Sequence, residues 1–108
     1  EKDGSGSARL LARSEVMPIR EELSLTQMLN QIGDWHILAF PWANSLDCLI
    51  KLSEETTEAM KAYKWLEGEL SEELADCLIC VLAAAARSGI DLQQAFNRKF
   101  PEVVKRHG

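Results

Sequence analysis

The stretch Ser71–Gly89 reads SEELADCLICVLAAAARSG, and its apolar run decides the fold. From Cys77 to Ala86 nearly every side of a helix would be apolar, leaving no face for water. A helix of that kind is wrapped by others, within one chain or across a subunit interface. Gly89 supplies a stop, since glycine adopts the left-handed backbone just past a last helical turn. The run is too short to cross a bilayer, which takes about 20 residues. This helix is expected from about Ser71 to Ser88.

The pattern continues on both sides. EGELS at 67–71 is a short connection, which favours an antiparallel neighbour. That neighbour is expected from about Leu46 to about Leu66, with Ser45 as N-cap and Asp47 near its positive end. Leu46, Leu49, Ile50, Ala59, Met60 and Tyr63 would form its buried stripe. Further upstream, SLTQ at 24–27 is a capping box, followed by Leu25, Met28, Leu29 and Ile32 at helical spacing. Gly33 and Asp34 are expected to end that helix. The segment 34–44, DWHILAFPWAN, then reads as an irregular aromatic loop, because Pro41 disfavours helix at Phe40. Downstream, Asp91 caps a fourth helix from about Leu92, which Pro101 should interrupt or restart. No stretch reads as a strand, so the fold class is all-α, a four-helix bundle completed by oligomerisation.

The 108 residues suit one domain. Residues 1–20 read as a flexible segment, with GSGS at 4–7, vector-derived sequence at the start and Met17 as a natural first residue; the helical domain is expected over 21–108. The net charge of −5 argues against a nucleic-acid polymer or an anionic membrane as partner. It leaves open a nucleotide bound through a cation. Cys48, Cys77 and Cys80, an odd set, suggest buried thiols in a reducing cytoplasm.

Two acidic pairs stand out against this apolar frame. KLSEETTEAM at 51–60 carries Glu55 and Glu58, at i and i+3 on one helical face. EELADCLICVL carries Glu73 and Asp76 at the same spacing. On an antiparallel hairpin the pairs can face each other. Converging carboxylates repel, and a divalent cation relieves the repulsion. Hard oxygen ligands select magnesium, manganese or calcium over zinc. The competing explanation is a solvated acidic face for the first pair and the helix dipole for the second. Asp76, set beside CLICVL, argues against it, because an unpaired carboxylate there is costly. A di-iron bundle is set aside, because His36 and His107 do not follow a glutamate by three residues.

The pair EExxE at 54–58 and ExxD at 73–76, with KLSEETTEAM and EELADCLICVLAAAARSGIDLQQAF around it, resembles the MazG-like all-α nucleoside triphosphate pyrophosphohydrolases over about residues 24–106. Asp34-Trp35 and the Pro41–Asn44 stretch resemble dCTPase-like members. The resemblance implies magnesium-dependent hydrolysis of (d)NTPs to (d)NMP and pyrophosphate, as nucleotide-pool housecleaning, with manganese as substitute. It implies Glu55, Glu58, Glu73 and Asp76 as metal ligands, Glu54 as the carboxylate that orients or deprotonates the attacking water, and a homodimer or homotetramer. Val103 stands where the family pattern has asparagine. Two other readings are a phosphoribosyl-ATP pyrophosphohydrolase-like enzyme and a non-catalytic helical adaptor.

Lys51, Trp42, Asn44 and Lys99 are candidates for contacts to substrate, each with a structural alternative. Lys51 either binds a phosphate oxygen or pairs with Glu55 at i+4. Trp42, like Trp35 and Trp65, either stacks on a base or anchors a core. Asn44 either reads a sugar hydroxyl or caps a helix. Lys99 and Arg106 either neutralise a triphosphate or remain solvated. His36 is expected at a surface or interface.

Overall fold

The computed structural model describes residues 22–108, so the expected flexible segment 1–20 and the reading of Met17 lie outside the described residues. Four helices follow in order: α1 (Leu25–Ala39), α2 (Ser45–Trp65), α3 (Leu70–Arg87) and α4 (Leu92–His107). Among the described residues there is no strand. The fold is all-α.

The capping box of α1 is formed: Ser24 Oγ accepts from the Gln27 N–H at 3.2 Å, and Gln27 Oε1 accepts from the Ser24 N–H at 2.7 Å. The helix does not end at Gly33 and Asp34 as expected. It runs through them to Ala39, so half of the expected aromatic loop is helix. Gly33 serves packing: a Cβ built there would lie 3.1 Å from Ala86 Cβ on α3. The backbones approach closely because that side chain is missing. The stop comes at Phe40, the residue restricted by Pro41.

Asn44, rather than Ser45, caps α2. Its Oδ1 accepts from the Asp47 N–H at 3.0 Å, and the Asp47 carboxylate accepts from the Asn44 N–H at 2.9 Å. Ser45 is already helical, and its hydroxyl donates to the Ala84 carbonyl at 3.0 Å, pinning the start of α2 to α3. Helix α3 closes as expected at Gly89, which has φ 66°. The Ile90 N–H bonds Ala85 O at 3.0 Å and the Gly89 N–H bonds Ala86 O at 3.2 Å, the paired bonds of a Schellman turn. Asp91 caps α4. Pro101 does not interrupt α4, which continues to His107. The proline removes one intrahelical donor, to the carbonyl of Asn97; that residue is exposed, so water can replace the bond.

The core forms where α1 crosses α3: Leu29, Leu82 and Ala85 are buried, with Met28, Ile32, Ala86 and Leu92 packed on them. The α2–α3 seam is built from smaller residues, Cys48, Ala59, Ala62, Cys80 and Ala83. Here the expected stripe of α2 needs correction. Only Ala59 of that set is buried; Leu46, Leu49, Ile50, Met60 and Tyr63 are 51–76% exposed. Small side chains let α2 lie close on α3, and this turns the larger ones outward. Leu74, Leu78 and Ile79 of α3 are exposed as well. Among the described residues, no helix is long and apolar enough to cross a membrane.

A candidate metal centre and the cleft beside it

Glu55 lies midway along α2, and Glu73 and Asp76 lie on the first turns of α3. The hairpin brings the three together, with one carboxylate oxygen of each within 4.8 Å of the others. Glu55 and Glu73 are half-buried and Asp76 is exposed. Burial pushes the Glu73 carboxyl above its usual range, and the negative charges of Asp76, Glu55, Glu58 and Glu72 add to the push. A pocket that raises the proton affinity of its own carboxylate also attracts other cations. Three oxygen ligands at this spacing suit a hard divalent ion that keeps some positions for water or phosphate.

The remaining candidates fall into place around this trio. Lys51 reaches Glu55 at 3.2 Å and Glu54 at 3.5 Å, and those two carboxylates raise its proton affinity. Glu54 itself is exposed, on the neighbouring face of α2. Glu58 stands outside the trio and pairs with Lys61 at 3.5 Å, although its charge is felt at Glu73. Asn44 uses its side-chain oxygen as the α2 cap. Lys99 is on α4 and pairs with Glu102 at 3.6 Å. Trp65 is exposed at the end of α2, with the Lys64 ammonium 5.2 Å from its ring.

A cleft of ≈ 450 Å³ opens beside the carboxylates. Glu55, Asp76 and Lys51 line one part of it; Trp35, His36, Phe40 and Trp42 line another. The aromatic rings hold one another edge to face: Trp35 to Phe40 at 5.6 Å and Phe40 to Trp42 at 5.9 Å between centroids. Trp42 is 76% exposed, so one of its faces is open to a ligand. Cys48 and Cys80 form part of the same wall, and burial pushes both thiols up, keeping them protonated and unreactive.

His36, expected at a surface or interface, is buried within the single chain, because α1 extends past Gly33 and carries it in against α2 and α3. The Arg87 Nε donates to its Nδ1 at 2.9 Å. The same guanidinium donates to the carbonyls of His36 at 3.1 Å and Phe40 at 2.6 Å, closing the end of α1. On the other side of the ring, Nε2 lies 3.6 Å from Cys48 Sγ. Burial, and then the Arg87 charge, lower the His36 pKa, so the ring is neutral at pH 7. Sequence reasoning passed over Arg87. Its signal was the single cation of α3, placed directly after the apolar run 77–86.

The family model of the MazG nucleotide pyrophosphohydrolase domain matches residues 44–108. The chain belongs to the MazG family. The match starts at the cap of α2 and contains the carboxylate trio, Glu54, Glu58, Lys51 and all of α4. Membership of the MazG family supports nucleotide pyrophosphohydrolase activity, a hydrolase acting on nucleoside triphosphates in general, with a general dependence on divalent metal. Trp35, His36, Phe40 and Trp42 lie before the matched segment. The comparisons with curated proteins and with solved structures gave no match.

Proposed function

We propose that this MazG protein hydrolyses (d)NTPs to (d)NMP and pyrophosphate, with magnesium as its cation and manganese as a substitute, in housecleaning of the nucleotide pool. One observation carries the reading: Glu55 and Asp76, two members of the three-carboxylate cluster, line a cleft that also has an aromatic wall. The cluster suits the triphosphate end of a nucleotide through a cation, and the wall suits the base. When bound by Glu55, Glu73 and Asp76, with Glu58 next to them, the divalent ion supplies charge neutralisation and a template for phosphate oxygens.

The chain's own groups do the rest. Lys51, paired with Glu55 and Glu54 and lining the cleft, would offer its ammonium to a phosphate oxygen. Trp42 presents its open face to the base. Asn44 holds the start of α2, and with it the register of Lys51 and Glu55. Lys99, on α4, is placed for the triphosphate only if α4 meets a second copy. Water adds to the α-phosphorus, the bond from phosphorus to the pyrophosphate oxygen breaks, and the water proton passes to a carboxylate, with Glu54 as the candidate. The apolar face of α2, exposed among the described residues, is proposed as the contact between copies in a homodimer or homotetramer. The cytoplasm is the proposed compartment.

Pyrophosphate release from a panel of canonical and modified NTPs and dNTPs, with and without magnesium, tests the reaction. Glu55→Gln and Asp76→Asn should each lower turnover by roughly 10³-fold with the circular dichroism spectrum unchanged. Full activity in both variants would remove the assignment.

A further inference from the structure

His36 has no part in the hydrolysis proposed above, yet it is buried in the cleft wall and hydrogen-bonded by Arg87. A guanidinium carries only donors. The 2.9 Å contact from Arg87 Nε therefore makes Nδ1 an acceptor, and in a neutral ring the proton sits on Nε2. Arg87 is fixed in turn by the carbonyls of His36 and Phe40. The ring itself lies 5.2 Å from Phe40 and 6.0 Å from Trp35 between centroids, so it has little freedom to rotate. What remains is one N–H of known position. Its partner among the described residues is a thiol at 3.6 Å, a weak acceptor.

A buried donor with only a soft, long contact gains by meeting a better acceptor. The cleft wall where His36 sits is continuous with Lys51, Glu55 and Asp76. A nucleotide whose phosphates reach the carboxylates would lay its base along the aromatic wall. We propose that His36 is the base-reading residue of this site, its Nε2–H donating to a carbonyl oxygen or an unprotonated ring nitrogen of the nucleobase. This rests on the triphosphate reading above. The device is selective because Arg87 blocks the other tautomer. A base presenting an N–H or an amino group at that point meets donor against donor, and both stay unpaired. Sites built around such a bond reject the analogue that lacks it far more strongly than apolar pockets do.

The test compares the best nucleotide of the panel with ribose 5-triphosphate, which has phosphates and sugar but no base. In His36→Leu, the advantage of the nucleotide over the base-less compound in kcat/KM should fall by about 10- to 100-fold, mainly through KM. His36→Gln, whose amide can place an N–H near the Nε2 position, should recover part of it. An equal loss on both compounds would assign His36 to packing alone and overturn the proposal. An unchanged advantage would overturn it too. A wild-type protein that cleaves neither compound overturns the triphosphate reading, and this inference with it. Should His36→Leu fail to fold, 15N spectra of the wild-type histidine ring decide. The Nε2 resonance should move with the α,β-methylene analogue of the nucleotide and stay in place with inorganic tripolyphosphate. A response to both alike, or to neither, counts against base contact.

Discussion

Glu73 stands among four other carboxylates of the hairpin. Its carboxyl is pushed up by burial and by Asp76, Glu55, Glu58 and Glu72. The folded chain thus holds a proton there that the unfolded chain releases at lower pH. Stability from this group is present below the unfolded value and is lost as pH rises through the folded one. At neutral pH the ionised Glu73 opposes folding. Glu73→Gln should therefore raise the melting temperature without metal, and should shrink the rise expected for the wild type on adding magnesium, the proposed cation. Thermal melts of both proteins with and without magnesium check this.

His36 has the opposite sign of dependence on acid. Its folded pKa is lowered by burial and by Arg87, with Cys48 the other group facing the ring. The unfolded histidine takes up a proton near its ordinary 6.5 while the folded one does not. Stability should fall as pH drops through about 6.5 and stop falling once the folded ring protonates. Urea midpoints at pH 7.5 and 5.5 should differ more for the wild type than for His36→Gln. The residue scale also marks what a sequence can reveal. The trio of carboxylates is legible, because helical spacing fixes their face and a short hairpin fixes their partner. The burial of His36 is not, because it depends on where α1 stops.

At the scale of elements, most caps were readable, although Asn44 rather than Ser45 caps α2, and two apparent interruptions were misleading. Ser24 and Gln27, Asp91 and Gly89 act locally, so their sequence signals suffice. Gly33 and Pro101 look like breaks but lie inside helices. Gly33 is retained for the approach of α1 to α3, a contact 53 residues away in sequence (Gly33 to Ala86) that no local signal carries. A larger side chain should force the helices apart. Gly33→Leu is expected to cost about 1–3 kcal/mol of stability, measured by urea denaturation. Gly33→Ala should cost less, because the gain in helix propensity offsets a tight contact that a shift of a few tenths of an ångström can relieve.

On the whole-molecule scale, the described residues leave an apolar face exposed. Leu46, Leu49, Ile50, Met60 and Tyr63 of α2, with Leu74 and Leu78 of α3, face outward. Periodicity alone marked the α2 set as apolar and therefore inside. It could not say that the small residues Cys48, Ala59 and Ala62 would take the seam and leave the large ones for another surface. If that surface is a second copy, light scattering at micromolar concentration should give a dimer or tetramer, and Leu49→Glu with Met60→Glu should give a monomer of lower melting temperature. A wild type that is monomeric throughout would overturn the assignment of this face to a second copy.

The carboxylates stand on α2 and α3, whereas Trp35, His36, Phe40 and Trp42 stand on α1 and the short turn after it. On the proposed reading, cleavage and recognition would be carried by separate pieces of chain, joined at the capped start of α2. Changes within residues 35–43 could retune which nucleotides are admitted while the acidic hairpin is inherited intact. Diversification of substrate range on an unaltered hydrolytic frame would need no more than a rewritten end of one helix.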